Sequence, residues 1–135
     1  AKAIFQGECD VAIMNHYYYG KMLYGDKPEQ KDWAGAIRLV FTNQDGRGNH
    51  VNISGGGMAR YSPNPDGARQ FLEFLTTPVA QQLYGEVNFE YPVNPAVAPG
   101  GVLASWGNFK RDDLAIERLA ELAPDAQMII DRVGW

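Results

Sequence analysis

A short apolar run followed directly by a polar and aromatic cluster constrains the fold of this chain more than any other feature. Residues 9–14 contain the run Val-Ala-Ile-Met between polar residues, which is typical of a buried strand. Residues 17–24 then have the composition of a helix that Gly25 ends. A strand–turn–helix unit places the side chains between its two elements at the carboxyl end of the strand, where α/β proteins bind ligands.

The remaining sequence alternates between predicted strands and helices, which indicates the α/β class. Apolar or alternating runs predict further strands over 36–42, 51–54 and 89–91. Turn residues, caps and apolar periodicity predict five further helices. The first is the tail of a helix over 1–6, the second begins at Pro65 and is capped by Asn64, and the third runs from Pro78 to about Tyr84, where Gly85 ends it. The last two are a helix over about 112–122 and a helix that begins at Pro124. Residues 96–111 show no periodicity, and we expect them to be irregular.

Composition excludes several classes of protein. The chain has 135 residues, 45% of them hydrophobic, which is enough for one packed domain. Its net charge is −4 and its twelve basic residues are scattered, which argues against nucleic acid as a partner. No apolar stretch reaches the roughly 18 residues that a membrane-spanning helix needs. The sequence begins at Ala1 without an initiator Met or a signal peptide, so we expect a processed product or a fragment.

The aromatic cluster consists of three consecutive tyrosines, Tyr17, Tyr18 and Tyr19. A phenolate is a hard anionic oxygen donor, and hard donors suit highly charged cations such as ferric iron. Aromatic runs also serve as packing or as a partner surface. The cluster alone leaves both interpretations open. Consecutive side chains on a helix point about 100° apart, so two adjacent ligands of one ion need a non-helical turn, and we expect Tyr17 and Tyr18 at the turn where the predicted strand passes into the helix.

Several separated segments, in one order along the chain, resemble the carboxy-terminal part of periplasmic ferric-ion-binding proteins, the substrate-binding components of bacterial iron ABC importers. The resemblance covers essentially the whole chain. The matching segments are Gly7-Glu8-Cys9-Asp10-Val11-Ala12, Asn15-His16-Tyr17-Tyr18-Tyr19-Gly20, Gly46-Arg47-Gly48-Asn49-His50-Val51-Asn52-Ile53-Ser54-Gly55, Ala68-Arg69-Gln70-Phe71-Leu72-Glu73-Phe74-Leu75, Glu90-Tyr91-Pro92-Val93-Asn94-Pro95 and Val133-Gly134-Trp135.

The resemblance implies a role for each residue of the tyrosine segment. Tyr17 and Tyr18 match the family's adjacent tyrosine pair, which binds Fe(III) through phenolate oxygens. Asn15 matches a residue that helps to hold a synergistic anion in the phosphate-using members, whereas other members use carbonate or no anion. Tyr19 matches an aromatic position that is not a ligand. We interpret His16 as a loop or cap histidine rather than a ligand.

The resemblance also implies a two-lobed periplasmic-binding-protein fold of type II, with a mixed sheet flanked by helices. Residues 1–48 and 96–135 would belong to the carboxy-terminal lobe. Residues 49–95 would contain the hinge-crossing strands and a segment of the amino-terminal lobe. The expected partners are ferric iron, a membrane permease and the amino-terminal portion that supplies the remaining ligands. The implied location is the periplasm, and we expect this chain alone to bind Fe(III) weakly.

Three alternatives compete with ferric binding. A two-lobed periplasmic binder for a polyamine, thiamine or an oxyanion would not need adjacent phenols. An interaction module would use the tyrosines as a contact surface. An enzyme would need a nucleophile or base such as Cys9, His16, His50 or Ser54, but no hydrolase or metalloprotease motif accompanies them, so we predict that the protein is not an enzyme.

Overall fold

The computed structural model describes all residues from Ala1 to Trp135, and its regular structure is helical. The helices are α1 (Lys2–Phe5), α2 (His16–Tyr24), α3 (Pro28–Gly35), α4 (Pro65–Leu75), α5 (Pro78–Leu83), α6 (Gly101–Ser105) and α7 (Ile116–Val133). A π-helical turn, Tyr84–Asn88, directly follows α5. The chain divides into two compact units. Unit 1 contains residues 1–40 and 53–108, and unit 2 contains residues 41–52 and 109–135.

The predicted strands are not formed, and the predicted mixed sheet is therefore not confirmed. The only β-type pairing is an isolated parallel bridge between Asn49 and Arg111. A strand is stabilised by hydrogen bonds to a neighbouring strand, and no second segment forms such a ladder with the predicted ones. The segments concerned are 9–14, 36–42, 51–54 and 89–91.

The helix starts marked by a capping residue and a proline are confirmed. The Asn64 side chain accepts a hydrogen bond from the Gly67 N–H at 3.0 Å. The Thr77 hydroxyl accepts one from the Ala80 N–H at 3.4 Å. In both helices proline occupies the first position, where its missing N–H has no helical partner to lose. Each of these helix starts is determined by residues within one helical turn of it.

Two predicted helix ends are wrong. Gly85 does not end α5, because the π-helical turn continues to Asn88 and ends at Phe89 in a left-handed conformation. The two predicted final helices form the single helix α7, with Pro124 inside it. The apolar residues Leu119, Leu122, Ala126, Ile129 and Val133 keep helical spacing across Pro124, so one continuous stripe favours one helix.

Two helices were not predicted. Helix α3 begins at Pro28, whose position was the available signal. Helix α6 lies within 96–111, the segment predicted to be irregular. It is only five residues long, too short for a recognisable apolar period.

Unit 1 has a small apolar core and a buried polar contact. Leu103 on α6, Ala34 on α3 and Ala80 on α5 are its buried apolar residues. Gln81 is also buried, and its amide donates to the Leu75 carbonyl and accepts from the Val93 N–H, both at 2.7 Å. This side chain ties the segment after the π-helical turn to the end of α4.

Unit 2 is held together by polar contacts between residues 41–52 and the segment that begins at residue 109. Arg47 forms an ion pair with Asp112 at 3.2 Å, and Lys110 donates its ammonium to the Gly46 carbonyl. Helix α7 follows this region. Neither α7 nor any other helix combines the length and the apolar character that a membrane crossing requires.

Candidate metal-binding site

Tyr17 and Tyr18 lie in the first turn of α2, directly after the cap residue Asn15 and the first helical residue His16. We expected a non-helical turn at this point, because consecutive side chains on a helix point about 100° apart. That expectation is wrong. The two rings nevertheless converge, with centroids 4.5 Å apart and planes inclined by 50°. No helical turn precedes these residues, which leaves room for both side chains to tilt together.

The phenol groups of the pair are connected by hydrogen bonds. The Tyr17 and Tyr18 side chains are hydrogen-bonded to each other. The Asn15 amide donates to the Tyr17 hydroxyl at 3.1 Å. Tyr18 is about half exposed, so the pair is open to solvent on one side. Asn15, Tyr17 and Tyr18, the three residues predicted for the site, are thus in one hydrogen-bonded group.

The pKa of Tyr17 is raised above its ordinary value near 10. The main cause is the hydrogen bond with Tyr18, which favours the protonated phenol, and desolvation adds to it. The hydrogen bond from Asn15 acts in the opposite direction, because an amide donor stabilises a phenolate. Without a bound cation, Tyr17 therefore keeps its proton at neutral pH.

His16 is packed among aromatic rings and lies edge-on to Tyr17, with centroids 6.0 Å apart. Its ring contacts Tyr91 with centroids 5.2 Å apart and Trp106 at 5.8 Å. A ring nitrogen is hydrogen-bonded to the Phe89 backbone, while Nε2 is buried without a hydrogen-bond partner. Burial lowers the pKa of His16 below 6.5, so its imidazole is neutral at neutral pH.

Sequence reasoning missed two residues that contact the tyrosine segment from outside it. The Lys21 ammonium lies 5.5 Å from the centroid of the Tyr17 ring. Its position four residues after Tyr17 was the available signal, because such residues share one face of a helix. Trp106 contacts Tyr19 with ring centroids 5.7 Å apart, and no local pattern connects these two residues. Tyr19 thus has a packing contact in unit 1.

No other part of the structure offers a conventional metal site. No group of three or more His, Cys, Asp or Glu side chains could hold a metal ion. A cavity of about 340 Å³ lies in unit 1, lined by Pro78, Gln82, Glu86, Leu103 and their neighbours. It contains none of the residues of the tyrosine pair. The phenol oxygens of Tyr17 and Tyr18 remain the best candidate donors for a hard cation.

The sequence model of the family described as bacterial extracellular solute-binding protein matches residues 1–82. The chain is 39% identical to Iron uptake protein A1 of Synechocystis sp. over 134 residues, which are 99% of this chain and 37% of the relative. It is 32% identical to the Major ferric iron-binding protein of Neisseria meningitidis serogroup B over 96 residues, 71% of this chain and 28% of the relative. These relatives are iron uptake and iron-binding proteins rather than enzymes.

Solved structures show the same similarity. A ferric binding protein from Campylobacter jejuni matches with a TM-score of 0.89 and 34% identity, over 98% of this chain and 42% of that chain. The Trichodesmium protein FutA (IdiA), solved with iron and citrate ligands, matches with a TM-score of 0.88 and 42% identity, over 99% of this chain and 42% of that chain. These neighbours are ferric-binding periplasmic binding proteins of the type II fold. The chain spans about two fifths of the length of each.

Proposed function

Because the chain belongs to the bacterial extracellular solute-binding protein family, we propose that it contributes two ligands, the phenolate oxygens of Tyr17 and Tyr18, to a site for Fe(III). The supporting observation is the convergence of two hydrogen-bonded phenol rings, with centroids 4.5 Å apart, in a chain similar to ferric-binding proteins. Two neighbouring phenols do not readily ionise together in water, because their negative charges would repel each other. A trivalent cation compensates both charges at once.

The metal would drive the ionisation of the pair. The pKa of Tyr17 is raised by its contact with Tyr18, so Tyr17 is protonated at neutral pH when no metal is bound. Coordination to a highly charged ion deprotonates an acidic ligand. Each tyrosine that binds would therefore release one proton, and two phenolates would leave one positive charge on the Fe(III) centre.

Asn15 would stabilise the ionised form of Tyr17. Its amide already donates to the Tyr17 hydroxyl, and an amide carries two N–H groups. One N–H can stay on the phenolate oxygen while the other is available to a synergistic anion such as carbonate or phosphate. This arrangement would reduce the remaining positive charge on the metal.

Further ligands would come from outside residues 1–135, since two phenolates and an anion do not fill six coordination positions. We propose the two-lobed arrangement for the whole protein, with residues 1–48 and 96–135 in the carboxy-terminal lobe and 49–95 shared with the amino-terminal lobe. The whole protein would deliver Fe(III) to the membrane permease of an ABC importer from the periplasm. One relative, from Serratia marcescens, is named Fe(3+)-binding periplasmic protein and is 29% identical over 105 residues.

A visible absorption titration with ferric citrate tests the proposal. Phenolate bound to Fe(III) gives a charge-transfer band in the visible region, and we expect it in the unmodified protein. The double variant Tyr17→Phe/Tyr18→Phe should lose the band because it lacks both phenol oxygens while keeping both rings. Tyr24→Phe is the matched control, since Tyr24 is exposed on the same helix but lies outside the pair.

Two results would contradict the proposal. One is an unmodified protein that remains colourless when ferric citrate is added. The other is a double variant that keeps the band, which would place the coordinating phenols elsewhere.

A further inference from the structure

Gly20 is an unusual residue for its position in α2. It lies in the interior of the helix and is the only buried residue of that helix. Glycine in a helix interior is less favourable than alanine by about 1 kcal/mol. Gly20 does not have a left-handed backbone that would require glycine. Local conformation therefore gives no reason for glycine at this position.

The reason is the close approach of Phe89. A Cβ atom on Gly20 would lie 2.7 Å from Phe89 Cδ2 and 2.9 Å from Phe89 Cβ, which is far inside van der Waals contact. The phenyl ring thus occupies the space that any other side chain at position 20 would need. It also stacks on Tyr24 with centroids 5.7 Å apart and planes inclined by 25°.

Phe89 is held in an unfavourable backbone conformation. Its φ is 59° and its ψ is 35°, the left-handed region that bulky residues rarely adopt. Such a conformation persists only when surrounding contacts over-determine it. Here Phe89 contacts Gly20, Tyr24 and Trp106. The ring centroids of Phe89 and Trp106 are 6.4 Å apart.

The segment around Phe89 contacts α2 on both sides of the tyrosine pair. Before the pair, His16 is hydrogen-bonded to the Phe89 backbone and contacts the Tyr91 ring at 5.2 Å. After the pair, Gly20 receives the Phe89 ring. The contacts of His16 and Gly20 thus fix α2 at two points against the segment around Phe89. Together they determine where α2 lies on that segment and how α2 is rotated about its own axis.

We propose that the Gly20–Phe89 contact is a positioning contact that sets the rotation of α2, and thereby the place where Tyr17 and Tyr18 present their phenol oxygens. The inference rests on the proposed ferric site. Metal ligands must be held within about 0.5 Å of their productive geometry. A methyl group on Gly20 would have to move Phe89 or α2 by about 1 Å to restore van der Waals separation.

The test compares the unmodified protein with Gly20→Ala, Phe89→Gly and the double variant Gly20→Ala/Phe89→Gly, because glycine at position 89 removes the Cβ atom as well as the ring and tolerates the left-handed backbone. Ferric affinity is measured by competition with citrate, and the charge-transfer band is recorded at iron saturation. Gly20→Ala should weaken binding about tenfold or more, in the range found for residues that orient metal ligands. It should also shift the band of the saturated protein, which a loss of stability alone would not do.

Two controls separate the contact from a general effect of alanine. Gly35→Ala, in α3, adds a methyl group where no atom lies within 4 Å, and it should leave affinity and band unchanged. The double variant should bind more tightly than Gly20→Ala and no more weakly than Phe89→Gly, because the methyl group is harmless once the whole Phe89 side chain is absent. Circular dichroism monitors the helical content of every variant.

The outcomes distinguish this inference from the ferric proposal. No band in the unmodified protein contradicts both. A normal band and affinity in Gly20→Ala contradict the positioning contact alone. If Gly20→Ala does not fold, the comparison between Phe89→Gly and the double variant decides, and weaker binding by the double variant contradicts the contact.

Discussion

The two compact units hold their loops with different kinds of interaction. In unit 1, aromatic rings surround the first turns of α2, with centroid separations between 4.5 Å and 6.4 Å among His16, Tyr17, Tyr18, Tyr19, Tyr24, Phe89, Tyr91 and Trp106. In unit 2, the loop that contains Arg47 is held mainly by hydrogen bonds and an ion pair. Ring packing responds to volume, whereas hydrogen bonds respond to the loss of a donor or an acceptor.

The contacts that hold the loop of unit 2 are mainly polar. The Gln44 side chain accepts from the Lys110 N–H at 2.7 Å and donates to the Lys110 carbonyl at 3.1 Å. The Asp112 carboxylate pairs with Arg47 and accepts from the Leu114 N–H at 3.1 Å. Gly48 has a φ of 101° and lies so close to Lys110 and Arg111 that a Cβ atom would clash with their backbone. Phe41 and Phe109 add one stacked ring pair, with centroids 4.2 Å apart.

Both proposed ligands, Tyr17 and Tyr18, lie in unit 1. Changes in unit 1 should alter ferric binding through the orientation of the phenols. Changes in unit 2 should alter stability without changing the spectrum of the iron complex. The following predictions test this division.

Acidification should have the largest effect, because binding must displace the phenol protons. The raised pKa of Tyr17 means that it is protonated below about pH 10, so each proton released weakens binding about tenfold per unit decrease in pH. With both tyrosines bound, affinity should fall about 100-fold per unit. Competition titrations against a chelator of known pH dependence measure the slope.

A single-tyrosine variant is the control for this slope. Tyr17→Phe should release one proton fewer, so its affinity should fall only about tenfold per unit decrease in pH. An unmodified protein whose affinity does not change with pH would contradict binding by phenolates. Asp112→Ala, a change in unit 2, should keep the full slope.

Gln81 is a buried polar side chain in unit 1, and its removal should have the next largest effect. Gln81→Leu leaves the Leu75 carbonyl and the Val93 N–H without their partner. An unsatisfied buried polar group costs about 1–3 kcal/mol, so the free energy of unfolding should fall by about 2–3 kcal/mol. Urea denaturation measures it. Gln82→Leu is the matched control, because Gln82 is exposed and bonds only to Glu86.

Asp112 should matter more than Arg47, although the two form one ion pair. The Asp112 side chain is 7% exposed and the Arg47 side chain is 68% exposed. Asp112→Ala also removes the acceptor of the Leu114 N–H and should cost about 1–2 kcal/mol. Arg47→Ala should cost less than about 1 kcal/mol, as exposed ion pairs do.

Hydrogen exchange at the Leu114 amide measures the local effect of these two variants. Asp112→Ala should accelerate it, and Arg47→Ala should change it little. Equal effects of the two variants would mean that the ion pair, rather than the buried acceptor, holds this loop. A change in the charge-transfer band of either variant would contradict the division between the units.

The helix starts were predictable because their causes are local. Asn64 and Thr77 each accept from an N–H three residues later, and a proline follows each of them directly. The helix ends were less predictable. Gly85 and Pro124 are strong local signals for a helix boundary. The π-helical turn nevertheless includes Gly85, and α7 continues through Pro124 with an unbroken apolar stripe. The candidate site residues are neighbours in sequence, and the helix predicted over 17–24 is confirmed as α2.

The sequence by itself determined where the capped helices begin, and it placed Asn15, Tyr17 and Tyr18 within four residues of one another. Only the tertiary structure decided that the predicted strands do not form a sheet, since a strand depends on a partner strand that is often distant in the sequence. It alone also brought Phe89 onto Gly20 and Trp106 onto His16 and Tyr19. Capping acts within one helical turn, whereas ring packing and strand pairing join residues that are distant in sequence and leave no local pattern.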